Sequence, residues 1–137
     1  MSSAPPMKIG VYIPGDLARK LEDLMKDLSV YNFSRIVQEA LRMYIIEHEW
    51  KTHGLATGVI VVLYNHEVRG VDEALTDIQH EYLELISAVM HIHLDKENCL
   101  IAIAVKGDSN SLKKLIGSIE SLKGVKLVRP ILISTAP

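Results

Sequence analysis

The spacing of apolar residues changes several times along the 137-residue chain. Residues 1–6 (MSSAPP) are small, polar or proline and are expected as a disordered arm. At 8–13 the pattern alternates, with Ile9, Val11 and Ile13 on one face and Lys8, Gly10 and Tyr12 on the other, which predicts a short strand. Pro14-Gly15-Asp16 ends it and suits the first turn of a helix. That helix carries Leu17, Leu21, Leu24, Met25 and Leu28 as one stripe. Ser29-Val30-Tyr31-Asn32 breaks it, and Asn32 is a good cap for a second helix. The second helix is expected to bury Ile36, Val37, Ala40, Leu41, Tyr44 and Ile45, and runs out through Glu47-His48-Glu49-Trp50.

A strand and two helices in about 45 residues cannot bury a sufficient core alone. A lone strand also leaves its backbone edge unpaired. Both problems vanish if two copies pair their strands antiparallel over four packed helices. This is the ribbon-helix-helix dimer, whose ribbon enters a DNA major groove. Its outward positions here are Lys8, Gly10 and Tyr12. The plainer alternative is a dimerisation module that touches no DNA.

Residues 51–56 (KTHGLA) read as a linker between this 7–50 segment and a second domain over 57–137. There, 57–64 (TGVIVVLY) is nearly continuous apolar and β-branched, hence a buried strand. After a polar loop at 65–70, a helix from Val71 carries Leu75, Ile78, Tyr82, Leu85 and Val89 at spacings of three and four. A strand at about 90–94, a turn at 95–98 and a strand at 99–106 follow. Gly107-Asp108-Ser109 opens a helix over Leu112, Leu115, Ile116 and Ile119; Lys123-Gly124 closes it, and 125–134 is the last strand. The fold class is therefore α+β, and the second domain has the βαββαβ order of ferredoxin-like (ACT-type) ligand-sensing domains.

Composition narrows the function. With 48% apolar and 23% charged residues the chain is ordinary globular material. No apolar run approaches the roughly 18 residues of a membrane span, so no membrane partner is expected. The first residues lack the pattern of a secretory signal, and a single cysteine suits a reducing cytoplasm. A net charge of −2 argues against broad coating of nucleic acid but permits a small reading surface. One Phe, one Trp and five Tyr leave little for single-strand stacking. Six histidines stand out.

His91 and His93 are two apart on a predicted strand, so they leave one face together. Cys99 follows six residues later and shares that face if the connection holds five residues or a bulge. Alone, His-x-His reads as a solvated pair and a lone Cys as a core residue. Together, two imidazoles and a thiolate form most of a transition-metal site. His80 lies two residues from both Ile78 and Tyr82, which turns it away from its own sheet. By spacing alone it is either an exposed helix histidine or a ligand offered to a neighbouring subunit. Cys99 with a nearby His fits this donor set better than a nucleophile pair, and no catalysis is expected.

Gln79-His80-Glu81-Tyr82, His91-Ile92-His93 and Cys99-Leu100, with Tyr64-Asn65-His66, Lys106-Gly107 and Leu122-Lys123-Gly124-Val125, resemble the nickel-responsive ribbon-helix-helix repressors, the NikR family. The resemblance spans about residues 7–135. It implies one square-planar Ni(II) per subunit, held by His91, His93 and Cys99 of one subunit and His80 of another. It also implies a homotetramer, a dimer of dimers, with ribbon dimers at its ends on a double-stranded DNA operator. Tyr64 and Gln79 fall at the positions surrounding the ligands.

Several positions depart from that pattern. The family's ribbon presents a basic residue and two threonines outward, where Lys8, Gly10 and Tyr12 stand here, so the operator sequence does not carry over. Phe33 replaces a usual arginine between Asn32 and Ser34, which leaves phosphate anchoring to the helix amides. Arg35 replaces a glutamate that, with the acidic position at Glu39, helps hold a cation between domains. The guanidinium either takes the cation's place or makes an exposed pair with Glu39 one turn on. Ile101 stands for an acidic residue near the ligands and Leu127 for a histidine. The expected function is a cytoplasmic, nickel-responsive repressor of metal-uptake genes. The alternative is a tetrameric metal buffer whose ribbon no longer reads DNA.

Overall fold

The computed structural model describes residues 3–52 and 54–135; His53 and the first two residues of the arm lie outside them. The chain divides into two compact units, Met1–Gln38 and Glu39–Pro137.

In the first unit, α1 (Gly15–Asp27) starts behind Pro14, with Asp16 in its first turn and Lys26 in its last, each favourable to the helix dipole. It ends in a Schellman arrangement: Ser29 adopts φ 54°, its amide donates to the Lys26 carbonyl, and the Val30 amide donates to that of Met25. The second helix, α2 (Phe33–Glu49), opens on the expected cap, with the Arg35 amide donating to Asn32 Oδ1 at 3.1 Å.

Two expectations need amendment over residues 8–49. Residues 8–13 form no strand in the single chain and are almost wholly exposed. A strand is held by ladder hydrogen bonds, and among the described residues the paired strands are those of the sheet at 55–134. The apolar stripes are likewise bare: neither α1 nor α2 has a buried residue, and Leu17, Leu24, Leu28 and Leu41 are each more than half exposed.

The second unit is a four-stranded antiparallel sheet in the order β2-β3-β1-β4, built from β1 (Leu55–Asn65), β2 (Ile86–His93), β3 (Asn98–Asp108) and β4 (Val125–Ser134). The helices α3 (Val71–Glu81) and α4 (Ser109–Glu120) connect β1 to β2 and β3 to β4. Alternate residues of the central strands, such as Ile60, Val62, Ile101 and Ile103, are buried with Leu75 and Ile78 of α3 and Leu112, Leu115 and Ile119 of α4. Trp50, immediately after α2, is also in this core at 2% exposure. Ala56, expected in a linker, is a buried residue of β1.

The helix expected to reach Val89 stops at Glu81, and β2 begins at Ile86 rather than 90. Leu85 and Val89 fit a helical period, but Ile86–His93 gains a ladder with β3 by unwinding. Gly58, at φ 155°, lies so close to β4 that a Cβ there would stand 2.1 Å from the Ile131 carbonyl oxygen.

Candidate metal centre

Register places the donors. His93 of β2 is the direct partner of Cys99 on β3, and Cys99 is the partner of Tyr64 on β1, so the three side chains share one face in one row. His91 lies opposite Ile101 in the next row on the same face. The five residues 94–98 between His93 and Cys99 are tied by Asp95, whose Oδ1 accepts from the amides of Glu97 and Asn98 at 2.8 and 2.7 Å. These bonds, with that of the Asn98 side chain foremost, hold the Asp95 carboxyl below its ordinary pKa. The connection also sets the six-residue step from His93 to Cys99.

The result is a compact donor set. One ligand atom from each of His91, His93 and Cys99 lies within 4.8 Å of the others, and Cys99 Sγ is 3.3 Å from His93 Nδ1. Metal–nitrogen and metal–sulfur bonds of about 2.0 and 2.3 Å put neighbouring donors roughly 3 to 4 Å apart. The three groups therefore fit a transition metal after little movement. Their chemistry fits too, since imidazole and thiolate suit nickel, copper and zinc and not magnesium or calcium. Cys99 is fully buried while both histidines are exposed on the edge strand, so the set is closed on the core side and open outward.

Tyr64 backs this centre. Its ring is buried, and its hydroxyl donates to Asp72 Oδ1 at 3.0 Å and lies 3.1 Å from His91 Nε2. Burial foremost, then the bond to Asp72 and the negative charge of Asp72 and Cys99, push the hydroxyl above its ordinary pKa, so it stays protonated. His66 stands nearby, its ring centroid 6.4 Å from that of His93 and its Nε2 against the Lys96 carbonyl.

The remaining expected residues lie apart from this cluster. His80 is exposed on α3, whose buried side is Val71, Leu75 and Ile78, and among the described residues it is not part of the donor set. Gln79, beside it, is half-buried. Lys8, Gly10 and Tyr12 are exposed in the segment before α1. Asn32 caps α2, Phe33 and Ser34 are exposed in its first turn, and Arg35 and Glu39 both belong to that helix. The sequence reading missed Asp72. Its only local signal was an acid in a first helical turn, which reads as a dipole partner and not as a neighbour of Tyr64.

Comparison with known proteins bears on this centre. The family described as the NikR C-terminal nickel-binding domain matches residues 57–133. Relatives whose names read nickel-responsive regulator align over nearly the whole chain. One from Pyrococcus horikoshii is 35% identical over 130 residues, covering 94% of each chain. One from Methanothermobacter thermautotrophicus is 37% identical over 131 residues, again 94% of each. One from Methanosarcina mazei is 39% identical over 122 residues, 88% of this chain and 87% of its own. Among solved structures, an uncharacterised protein of Thermotoga maritima superposes with a TM-score of 0.50 at 14% identity, covering 61% of this chain and 99% of that one, a likeness of fold alone.

Proposed function

This chain belongs to the family of nickel-responsive regulators, a family of regulators and not of enzymes, and from that premise we propose that it is a nickel-dependent DNA-binding repressor of metal-uptake genes. The observation that carries the reading is the clustering of His91, His93 and Cys99 within 4.8 Å on one sheet face. His91, His93 and Cys99 would hold one nickel ion per subunit together with His80 of the partner subunit, which the exposure of His80 on α3 allows. Nickel held by donors from two subunits would link them and so favour whichever arrangement brings all four donors together.

The domain division is a DNA-binding segment over 7–50 and a metal-sensing, tetramerising domain over 57–137. Bare apolar stripes on α1 and α2 and an unpaired segment 8–13 are what a ribbon-helix-helix half looks like without its second copy. In the homotetramer two such ribbons read a double-stranded operator, with Lys8, Gly10 and Tyr12 outward and the capped start of α2 at Asn32, Phe33 and Ser34 against phosphate. Among the described residues no helix is long and apolar enough to cross a membrane, and a single buried thiol as metal ligand suits the reducing cytoplasm.

A gel-shift against fragments of the source genome, with and without nickel, tests this. Retarded fragments that appear only with nickel, and vanish in Cys99→Ser, are expected. Retardation unaffected by nickel or by Cys99→Ser would overturn the metal-dependent reading, and no retardation at all would overturn the DNA reading.

A further inference from the structure

The Tyr64 hydroxyl has one proton and two neighbours in reach, Asp72 Oδ1 at 3.0 Å and His91 Nε2 at 3.1 Å. An ionised carboxylate can only accept, so the proton goes to Asp72. The phenol oxygen then turns a lone pair toward His91, and that approach is a hydrogen bond only if Nε2 carries a proton. The neutral ring is thereby the Nε2–H tautomer, with its free lone pair on Nδ1.

We propose that Asp72, acting through Tyr64, is the positioning residue that selects the ligand atom of His91, holding the ring so that Nδ1 is the nitrogen offered to the metal. The inference rests on the metal-centre reading above and deepens it. Without the Asp72 carboxylate the freed Tyr64 proton would turn to Nε2 instead and leave the hydrogen on Nδ1, the nitrogen a metal needs bare. The residue directly opposite His91 cannot do this work, since Ile101 is apolar and 3% exposed. Asp72 is exposed in the first turn of α3 while Tyr64 is buried, so the chain Asp72–Tyr64–His91 leads from the surface to the donor set. A carboxylate acting on a metal-binding histidine through an intervening group is a recognised way of fixing tautomer and ring orientation.

The test uses the full-length protein labelled with 15N at histidine and freed of metal. Long-range 1H–15N correlation at mildly alkaline pH reads which nitrogen of His91 bears hydrogen. The wild type is expected to show Nε2–H, and Asp72→Ala to shift His91 toward Nδ1–H. In a separate titration Asp72→Ala and Tyr64→Phe should each weaken Ni(II) binding by about 10- to 100-fold, and the double variant by no more than the larger single loss. Glu73→Ala, which removes a charge from the same turn, should change neither readout. An Nδ1–H His91 in the wild type, an unchanged tautomer in Asp72→Ala, or additive losses in the double variant would each overturn the inference. The tautomer is read without nickel, so the two failures separate. A wild type that binds no nickel sinks the metal centre, whereas one that binds nickel with Nδ1–H at His91 sinks only the role of Asp72.

Discussion

Cys99 Sγ and His93 Nδ1 lie 3.3 Å apart because their residues are direct partners across β2 and β3, with a five-residue connection between them. A candidate metal site built this way inherits its geometry from strand register. It is also closed on one side, since Cys99 is fully buried. A metal binds the thiolate and the neutral imidazole, so metal and proton compete directly for the same groups.

Nickel affinity should therefore fall with pH. Each imidazole must be neutral and the thiol deprotonated to bind, so Ni(II) titrated at about pH 5 should bind much more weakly than at about pH 7.5. Isothermal titration at the two values checks this. Equal affinity would exclude a site made of imidazoles and a thiolate.

DNA binding should be lightly electrostatic. Residues 1–50 hold six Lys or Arg against seven Asp or Glu, so the segment as a whole exerts no net pull on a polyanion. Affinity then depends on Lys8 and on two ribbons acting together at a high effective concentration. Lys8→Ala should abolish nickel-stimulated binding, whereas Arg42→Ala, later on α2, should matter less. Every phosphate neutralised steepens the log–log salt dependence by about 0.9, so the wild-type slope should be shallow for each ribbon dimer, as fluorescence anisotropy across salt concentrations would read.

Gly58 should tolerate no side chain. An added Cβ would meet the Ile131 carbonyl oxygen at 2.1 Å and the Leu132 Cα at 2.9 Å, both backbone atoms that cannot step aside. Gly58→Ala must push β4 off β1 and should cost about 3 kcal/mol or more, read by urea denaturation at fixed protein concentration. A loss below about 1 kcal/mol would show that the two strands do not pair so closely.

Asp108 should give the fold an acid limb. Its carboxylate caps α4, accepting from the Ser111 amide and hydroxyl at 3.0 Å each, and these bonds depress its pKa below the ordinary 3.8. A depressed pKa adds stability above the unfolded value and loses it as pH falls through the folded one. Asp108→Ala should thus be less stable than wild type at neutral pH, and the gap should close as pH falls through the carboxylate range. Thermal melts at several pH values would show it, and a gap that stays constant into acid would refute it.

Much of this architecture was legible in the sequence, because strand and helix periods are local properties. The last strand was expected over 125–134 and is Val125–Ser134; the Asn32 cap and the start of the helix at Val71 also lie where turn chemistry put them. The overrun to Val89 shows where locality fails. Leu85 and Val89 satisfy a helical stripe, and only pairing of Ile86–His93 with β3 makes that stretch a strand. Trp50 reads as the frayed end of a helix, and only the assembled core shows that it is buried.

The candidate donors divide along the same line. Alternation with a period of two was enough to put His91 and His93 on one face, whatever the strand pairs with. Cys99 remained dependent on the length of a turn. Its meeting with His93 came from the folded sheet, because register is a property of two strands and not of either one. Folding also brought Asp72 to Tyr64, through the return of α3 over the sheet, and Tyr64 to His91, across β3. On α1 and α2 the apolar period is equally local, and the folded chain leaves both stripes bare, because a period decides which side is apolar and not what covers it.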